Sequence, residues 1–321
     1  MSIVRFEILS KVIELGSFTK AAEKLSMTQS AVSHAISSLE TELGVPLLIR
    51  DRRKGLALTE IGQRTLPHIR EVLKRIEAIN QEIALATNLE TGIIRIGTFA
   101  SASSCLLPKL LAKFQKKHPK IEFKFYEGTY EEITEWLQSG IIDIGFVVKG
   151  KTNPSFDLVP LLKDNMVVAF HPEHKFLHKE TIDMYDLEKE PFIMPTGMYQ
   201  SHIEELFEES QIKPSIRFEV RDCTTIANMV QEGLGVTIGT ELFLKTQQNI
   251  EIRKLNLTSY LYIALACSAI SDASPAVKEF LMIAKNAFDT ELVKDLESEI
   301  QLISKTENGM VRPVVIKEEI L

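Results

Sequence analysis

Residues 17–44 read SFTKAAEKLSMTQSAVSHAISSLETELG, and the rest of the N-terminal organisation follows from this stretch. Ser17 or Thr19 can cap a short helix carrying Ala21, Ala22 and Leu25. Ser26-Met27-Thr28 makes a tight connection, and Thr28 caps a further helix from Gln29 to about Leu43. Gly44 ends it in the position that glycine fills without steric penalty. On a wheel of about 100° per residue, Gln29, Ser30, Ser33, His34, Ser37 and Glu40 share one arc, and Ala31, Val32, Ala35, Ile36, Leu39 and Leu43 share the opposite one. The apolar arc must pack. The polar arc is small and rich in hydrogen-bonding groups, without the Lys/Glu ladder of a merely solvated face. Two short helices joined by a tight turn, the second with such a face, form a helix-turn-helix. Its second helix fits a DNA major groove, where Gln, Ser and His side chains reach base edges.

Upstream, Phe6, Leu9, Val12 and Ile13 follow a helical period that Gly16-Ser17 breaks. Downstream, residues 46–49 and 56–58 are short apolar strands around a basic tip of Arg50, Arg52, Arg53 and Lys54. This pattern predicts a wing whose arginines lie against phosphates or enter the minor groove. A small helical bundle with a basic loop is the plainer alternative. The candidate DNA contacts are therefore Gln29, Ser30, Ser33, His34, Ser37, Arg50, Arg52 and Arg53.

Thr59 opens a long helix reaching about residue 89, and thirty residues span roughly 45 Å. Ile69, Val72, Ile76, Ile79 and Ile83 follow a heptad seam. The seam predicts homodimerisation through these five side chains; packing on the chain's own second half is the alternative. A dimer suits DNA reading, because two helix-turn-helix units meet two half-sites about one turn apart.

The 321 residues suffice for two or three domains. Hydrophobic residues make up 45% and charged residues 25%, which excludes a wholly disordered chain. The net charge of -7 argues against nucleic acid until it is divided. Residues 1–90 carry 12 basic and 11 acidic side chains, whereas residues 91–321 carry 25 and 33. The acidity belongs to the second part. Cys105, Cys223 and Cys267 are too few and too far apart for a disulfide framework or zinc motif. No apolar run approaches the ~20 residues of a membrane helix, and the first residues do not resemble a leader. A cytoplasmic protein with no membrane partner is expected.

From Thr91-Gly92 onward strands and helices alternate. Strands are expected over 93–97, 121–126, 142–148, 165–170, 192–194 and 261–267, and residues 233–238 lead into another. Helices are expected over 103–118, 130–139, 204–209, 225–232 and 275–288. This alternation predicts an α/β unit with a mostly parallel sheet. Residues 291–321 read either as a tail or as a late strand.

The chain resembles the LysR-type transcriptional regulators. The likeness is carried by Gly16-Ser17-Phe18-Thr19-Lys20-Ala21-Ala22, Thr28-Gln29-Ser30-Ala31-Val32-Ser33, Leu39-Glu40, Leu43-Gly44, Pro46-Leu47-Leu48, Arg50, Arg53, Leu58-Thr59 and Gly62. It continues through Leu107-Pro108, Phe114, His118-Pro119, Glu127-Gly128, Gly140 and Asp143. His34 stands where the family often has Arg, Leu48 where it often has Phe, and Ile61 where it often has Ala. The resemblance implies a winged helix-turn-helix over 1–58, a linker and dimerisation helix over 59–91, and an effector domain over 92–290. That domain would be two-lobed, similar to type 2 periplasmic binding proteins, with lobe I at 92–163 and 268–290 and lobe II at 164–267. It further implies dimers paired into tetramers on promoter DNA, and a small effector between the lobes.

In open α/β sheets, ligands bind outside the carboxyl ends of the strands, where helix N-termini suit anions. Thr98, Ala100, Ser101 and Ser103 follow the first strand, and Gly128-Thr129 follow the second. In the second lobe Thr196 and Ser201 lie in a stretch that precedes a helix, and Thr224 opens another. Together with Phe146 these residues predict a site for a small anionic effector; Phe99, Phe146 and Tyr199 leave room for an aromatic one. Ordinary capping accounts for about half of such hydroxyls, and the cluster is a stronger signal than any one member. Cys105, at a helix start, is open to thiol sensing or to a structural role. His171, His174 and His178 suggest either metal or a solvated connection, with the polar surroundings favouring the latter. No nucleophile motif, metal spacing or phosphate loop appears, so neither catalysis nor a cofactor is expected. An effector-independent DNA-binding protein and an enzyme on the same two-lobed fold are the alternative functions.

Overall fold

The computed structural model describes residues 2–51, 55–86, 91–148, 156–197 and 199–288. Three helices open the chain: α1 (Ile3–Leu15), α2 (Phe18–Lys24) and α3 (Gln29–Leu43). They enclose Phe6, Leu9, Val12, Ala21, Val32, Ile36 and Leu39. Ser17 caps α2 by accepting the Lys20 N–H at 3.3 Å, and Thr28 caps α3 by accepting the Ala31 N–H at 3.1 Å. Gly44 closes α3 at φ +71°, in the left-handed region. Strands β1 (Leu48–Asp51) and β2 (Gly55–Leu58) pair antiparallel with Leu48 opposite Leu58, forming the wing. Arg52 and Arg53, expected at its tip, lie outside the described residues.

Helix α4 (Glu60–Ala86) starts directly behind the wing. The Thr59 hydroxyl donates to the Pro46 carbonyl at 2.8 Å. Gly62 permits the close approach: a Cβ there would lie 2.3 Å from the Leu47 carbonyl oxygen. Ile69, expected in the dimer seam, is buried in the core of the N-terminal head instead. The seam is thus corrected at its first position, because the first turns of α4 complete the head. Residues 87–90, expected to continue the helix, lie outside the described set.

The first lobe contains β3 (Gly92–Thr98), α5 (Ala100–Cys105), α6 (Leu107–Lys117), β4 (Ile121–Glu127), α7 (Tyr130–Gln138) and β5 (Ile144–Val148). Strands β4 and β5 flank β3, both parallel to it. The helix expected over 103–118 is divided at Leu106, and Pro108 occupies the first turn of α6.

Strand β6 (Asp157–Phe170) crosses between the lobes. Then follow β7 (Thr181–Ile182), α8 (Met184–Leu187), β8 (Pro191–Pro195), α9 (Gln200–Glu209), β9 (Ser215–Val220), α10 (Cys223–Gln231), β10 (Thr237–Thr240), α11 (Glu241–Leu244) and β11 (Glu251–Leu255). Strand β12 (Tyr260–Cys267) returns, and α12 (Pro275–Lys285) closes the described chain. The first part of β6 pairs with β12, from Asp157 opposite Cys267 to Asn165 opposite Tyr260. Its last part pairs with β10 and β11, with Val168 opposite both Ile238 and Arg253. The β6–β12 register slips beside Pro160, which has no N–H for the ladder.

Two expectations are corrected. The sheet is mixed, because β6, β10, β11 and β12 pair antiparallel where the chain enters and leaves the second lobe. The return to the first lobe begins at β12, earlier than residue 268, because Ile263 to Ala266 pair with Val148 to Gly145 of β5. Among the described residues no helix is long and apolar enough to cross a membrane.

Candidate functional site

The outward face of α3 is built by the burial of its other side. Val32, Ile36 and Leu39 are fully enclosed. That leaves Gln29, Ser30 and His34 exposed and Ser33 and Ser37 half-buried. The Ser30 hydroxyl lies 3.0 Å from the capping Thr28 hydroxyl. Glu40 shares the polar arc but serves another purpose. Its Oε1 accepts the Leu47 N–H at 2.8 Å and the Leu48 N–H at 3.0 Å, tying the first wing strand to α3. Arg50 lies in β1.

The loops expected to hold an effector meet at the lobe junction. The Gly128 N–H donates to the Thr98 carbonyl at 3.1 Å, joining the first two loops. Thr98 and Ser101 are buried, Ala100 is exposed, and the Ser103 hydroxyl donates to Glu127 Oε1 at 3.0 Å. Thr129 is occupied as a cap: it accepts the Glu132 N–H at 3.2 Å while Glu132 accepts its own N–H at 2.8 Å. Phe146 is fully enclosed in the sheet, so its contribution is to the core. From the second lobe, the Thr196 N–H donates to the Val220 carbonyl at 2.9 Å, and Ser201 and Thr224 are exposed on the first turns of α9 and α10. Asp222, rather than Thr224 or Thr225, caps α10, accepting the Thr225 N–H at 2.7 Å.

Sequence reasoning missed the buried polar groups between these loops. Asp164, on the crossing strand, is 2% exposed. Its Oδ1 accepts the Leu242 N–H at 2.9 Å, and its Oδ2 is buried without a hydrogen-bond partner. Burial pushes the Asp164 carboxyl up to about 6, against the pull of the Leu242 N–H and the Thr240 hydroxyl. Tyr130, whose ring meets Phe99 edge-on at 4.9 Å, and Tyr199 are buried nearby. The Tyr199 hydroxyl lies 3.9 Å from Cys223 Sγ. Burial raises both phenols and the Cys223 thiol. Cys105 Sγ reaches the Leu242 carbonyl at 3.5 Å, and Arg221 faces Glu132 across the junction at 3.9 Å. The signal available was Lys163-Asp164-Asn165, a polar break in an otherwise apolar strand.

Of the expected seam, Ile76 is half-buried, while Val72, Ile79 and Ile83 are 42%, 58% and 58% exposed. The opposite side of α4 is bound to the first lobe. Arg70 donates to the Ser139 carbonyl at 3.1 Å and Arg75 pairs with Asp272. Glu77 pairs with Arg95 at 3.1 Å, and Arg95 in turn with Asp143 at 3.3 Å. His174 pairs with Glu190 at 3.1 Å, and no group of three potential metal ligands occurs among the described residues.

Residues 3–63 match the family described as bacterial regulatory helix-turn-helix protein, lysR family. Residues 87–289 match the family described as LysR substrate binding domain. The chain is 40% identical over 294 residues to the uncharacterized HTH-type transcriptional regulator YvbU of Bacillus subtilis (strain 168), covering 91% of this chain and 100% of the relative. Its fold is similar to that of a full-length OxyR variant from Pseudomonas aeruginosa, with a TM-score of 0.72 at 20% identity, covering 89% of this chain and 94% of the other. Full-length CbnR complexed with its target DNA gives a TM-score of 0.62 at 22% identity, covering 89% and 99%.

Proposed function

The chain belongs to the LysR family of bacterial helix-turn-helix regulators, and from that premise we propose how its own residues divide the work of DNA reading, effector binding and assembly. It is a DNA-binding transcriptional regulator with an effector-binding domain, not an enzyme.

Base reading falls to Gln29, Ser30, Ser33, His34 and Ser37, with Arg50, Arg52 and Arg53 on the backbone or in the minor groove. The observation that carries this reading is the sorting of α3. Val32, Ile36 and Leu39 are spent on the core, Glu40 on the wing, and the remaining polar side chains face outward. The head has little net positive charge, so affinity leans on paired half-sites and base contacts more than on bulk electrostatics.

Val72, Ile76, Ile79 and Ile83 form the dimer seam, and dimers pair into tetramers on promoter DNA. The effector is a small anionic molecule held at the lobe junction by Thr98, Ala100, Ser101 and Ser103 of the first lobe, facing Thr196, Ser201 and Thr224 of the second. The protein works in the cytoplasm, where promoter DNA and metabolites are both present.

Footprinting on the DNA beside its own gene, with and without small carboxylates, tests this reading. Protection of two half-sites that changes with one of the carboxylates is expected. Unchanged cleavage across that DNA would contradict it.

A further inference from the structure

A cavity of about 190 Å³ lies where α4 meets the first lobe, away from the lobe junction. Gln81 of α4, Phe114 and Ile121 of the lobe, and Pro275 and Ala276 at the start of α12 wall it, with Glu279 also lining it. The Glu279 carboxylate already faces Lys117 Nζ and His118 Nε2, each at 3.5 Å.

Gln81 is the distinctive group. It is 4% exposed. Its Oε1 accepts the Ala276 N–H at 3.3 Å, which fixes the amide, since a flipped amide would set two donors together. Its Nε2 is therefore the remaining donor, and it is buried without a hydrogen-bond partner. Gly92 leaves room for it: a Cβ there would lie 2.5 Å from Nε2. Buried donors without acceptors are rare in native interiors, and each calls for a reason.

We propose that this cavity is a second small-molecule site, for a neutral single-ring compound whose carbonyl oxygen accepts from Gln81 Nε2. Size supports the ring: an apolar cavity of about 150 Å³ holds benzene, and the larger volume here leaves space for a carbonyl substituent. Phe114 and Ile121 supply the apolar wall. Neutrality follows from Glu279, whose carboxylate lines the cavity and would repel an acid. A ligand held here touches α4 and α12 together, so it braces the joint between linker helix and effector domain. The site shares no residue with the lobe junction and does not depend on the effector assigned there.

The test uses the full chain with methyl-labelled Ile and Ala, titrated with acetophenone and, as a ring without an acceptor, toluene. Acetophenone is expected to shift the Ile121 and Ala276 methyl signals and to bind about 5-fold more tightly than toluene, the worth of one net hydrogen bond. Gln81→Met should abolish that preference while leaving ring binding. Ala276→Phe, which fills the cavity, should abolish both. An absence of acetophenone binding, unmoved Ile121 and Ala276 signals, or undiminished binding by the Ala276→Phe protein would each overturn the proposal.

Discussion

Lys74 of the linker helix places its Nζ 2.9 Å from Asp143 Oδ1 in the first lobe, and 2.7 Å from the Ile142 carbonyl oxygen. Asp143 also holds Arg95 at 3.3 Å, and its Oδ2 accepts the Arg95 N–H at 2.9 Å, so one carboxylate joins helix, strand and loop. Both partners are largely shielded from water, which weakens screening. Lys74→Met is expected to lower unfolding stability by about 1–2 kcal/mol, since Arg95 remains to satisfy Asp143. Urea unfolding of the single variants and of Lys74→Met with Asp143→Asn measures it. Strict additivity in that cycle would show that the pair does not interact.

Asp164 gives a pH dependence with a definite sign. Its carboxyl is raised from 3.8 to about 6 in the fold, so the folded state holds the proton more tightly. The neutral form's advantage is complete below about 3.8, declines as pH rises, and is gone above about 6. Asp164→Asn should therefore raise stability relative to wild type more near pH 8 than near pH 5, by roughly 1–2 kcal/mol. Chemical denaturation at the two values checks this. An equal effect at both would mean that Asp164 titrates normally.

The order of elements was legible in the sequence wherever local chemistry decided it. Thr28, Gly44 and the apolar arc of α3 marked that helix, and Pro275 marked the start of α12. Strands β9 and β11 were not anticipated. Only Ile216, Phe218 and Val220 in the first, and Ile252 and Leu255 in the second, interrupt charged and polar residues. Their pairing comes from distant partners, β8 for one and β6 and β7 for the other. The site was legible in its hydroxyl-bearing loops but not in its interior. Asp164 acquires its environment from Leu242, 78 positions later. Nor could the wheel tell that Glu40 turns toward Leu47 and Leu48, because that depends on how the wing returns to α3.

Glu40 supplies a separate prediction. Its one oxygen receives two wing N–H groups, so Glu40→Ala leaves both donors to find water and lets the wing reorient. A stability loss of about 1–3 kcal/mol is expected, with operator affinity falling about tenfold, equivalent to 1.4 kcal/mol. Calorimetric melting and a gel shift read the two effects. Full affinity in the variant would show that the wing needs no such tie.

The exposed stripe on α4 predicts an assembly. Ile79 and Ile83 together changed to Lys should convert dimer to monomer at micromolar concentration, because charged groups at seam positions oppose knobs-into-holes packing. Sedimentation velocity measures this. A dimer that persists would move the interface off α4.

The outward face of α3 is assigned to reading DNA. Capture and sequencing of genomic fragments by purified wild type and by Ser33→Asp tests that assignment. Wild type should enrich fragments sharing a two-fold motif with half-sites about one helical turn, or a multiple of it, apart. The variant, unchanged in fold and assembly, should enrich none of them, with affinity at least about a hundredfold weaker, or 2.7 kcal/mol. Enrichment of the same fragments by both proteins would contradict it.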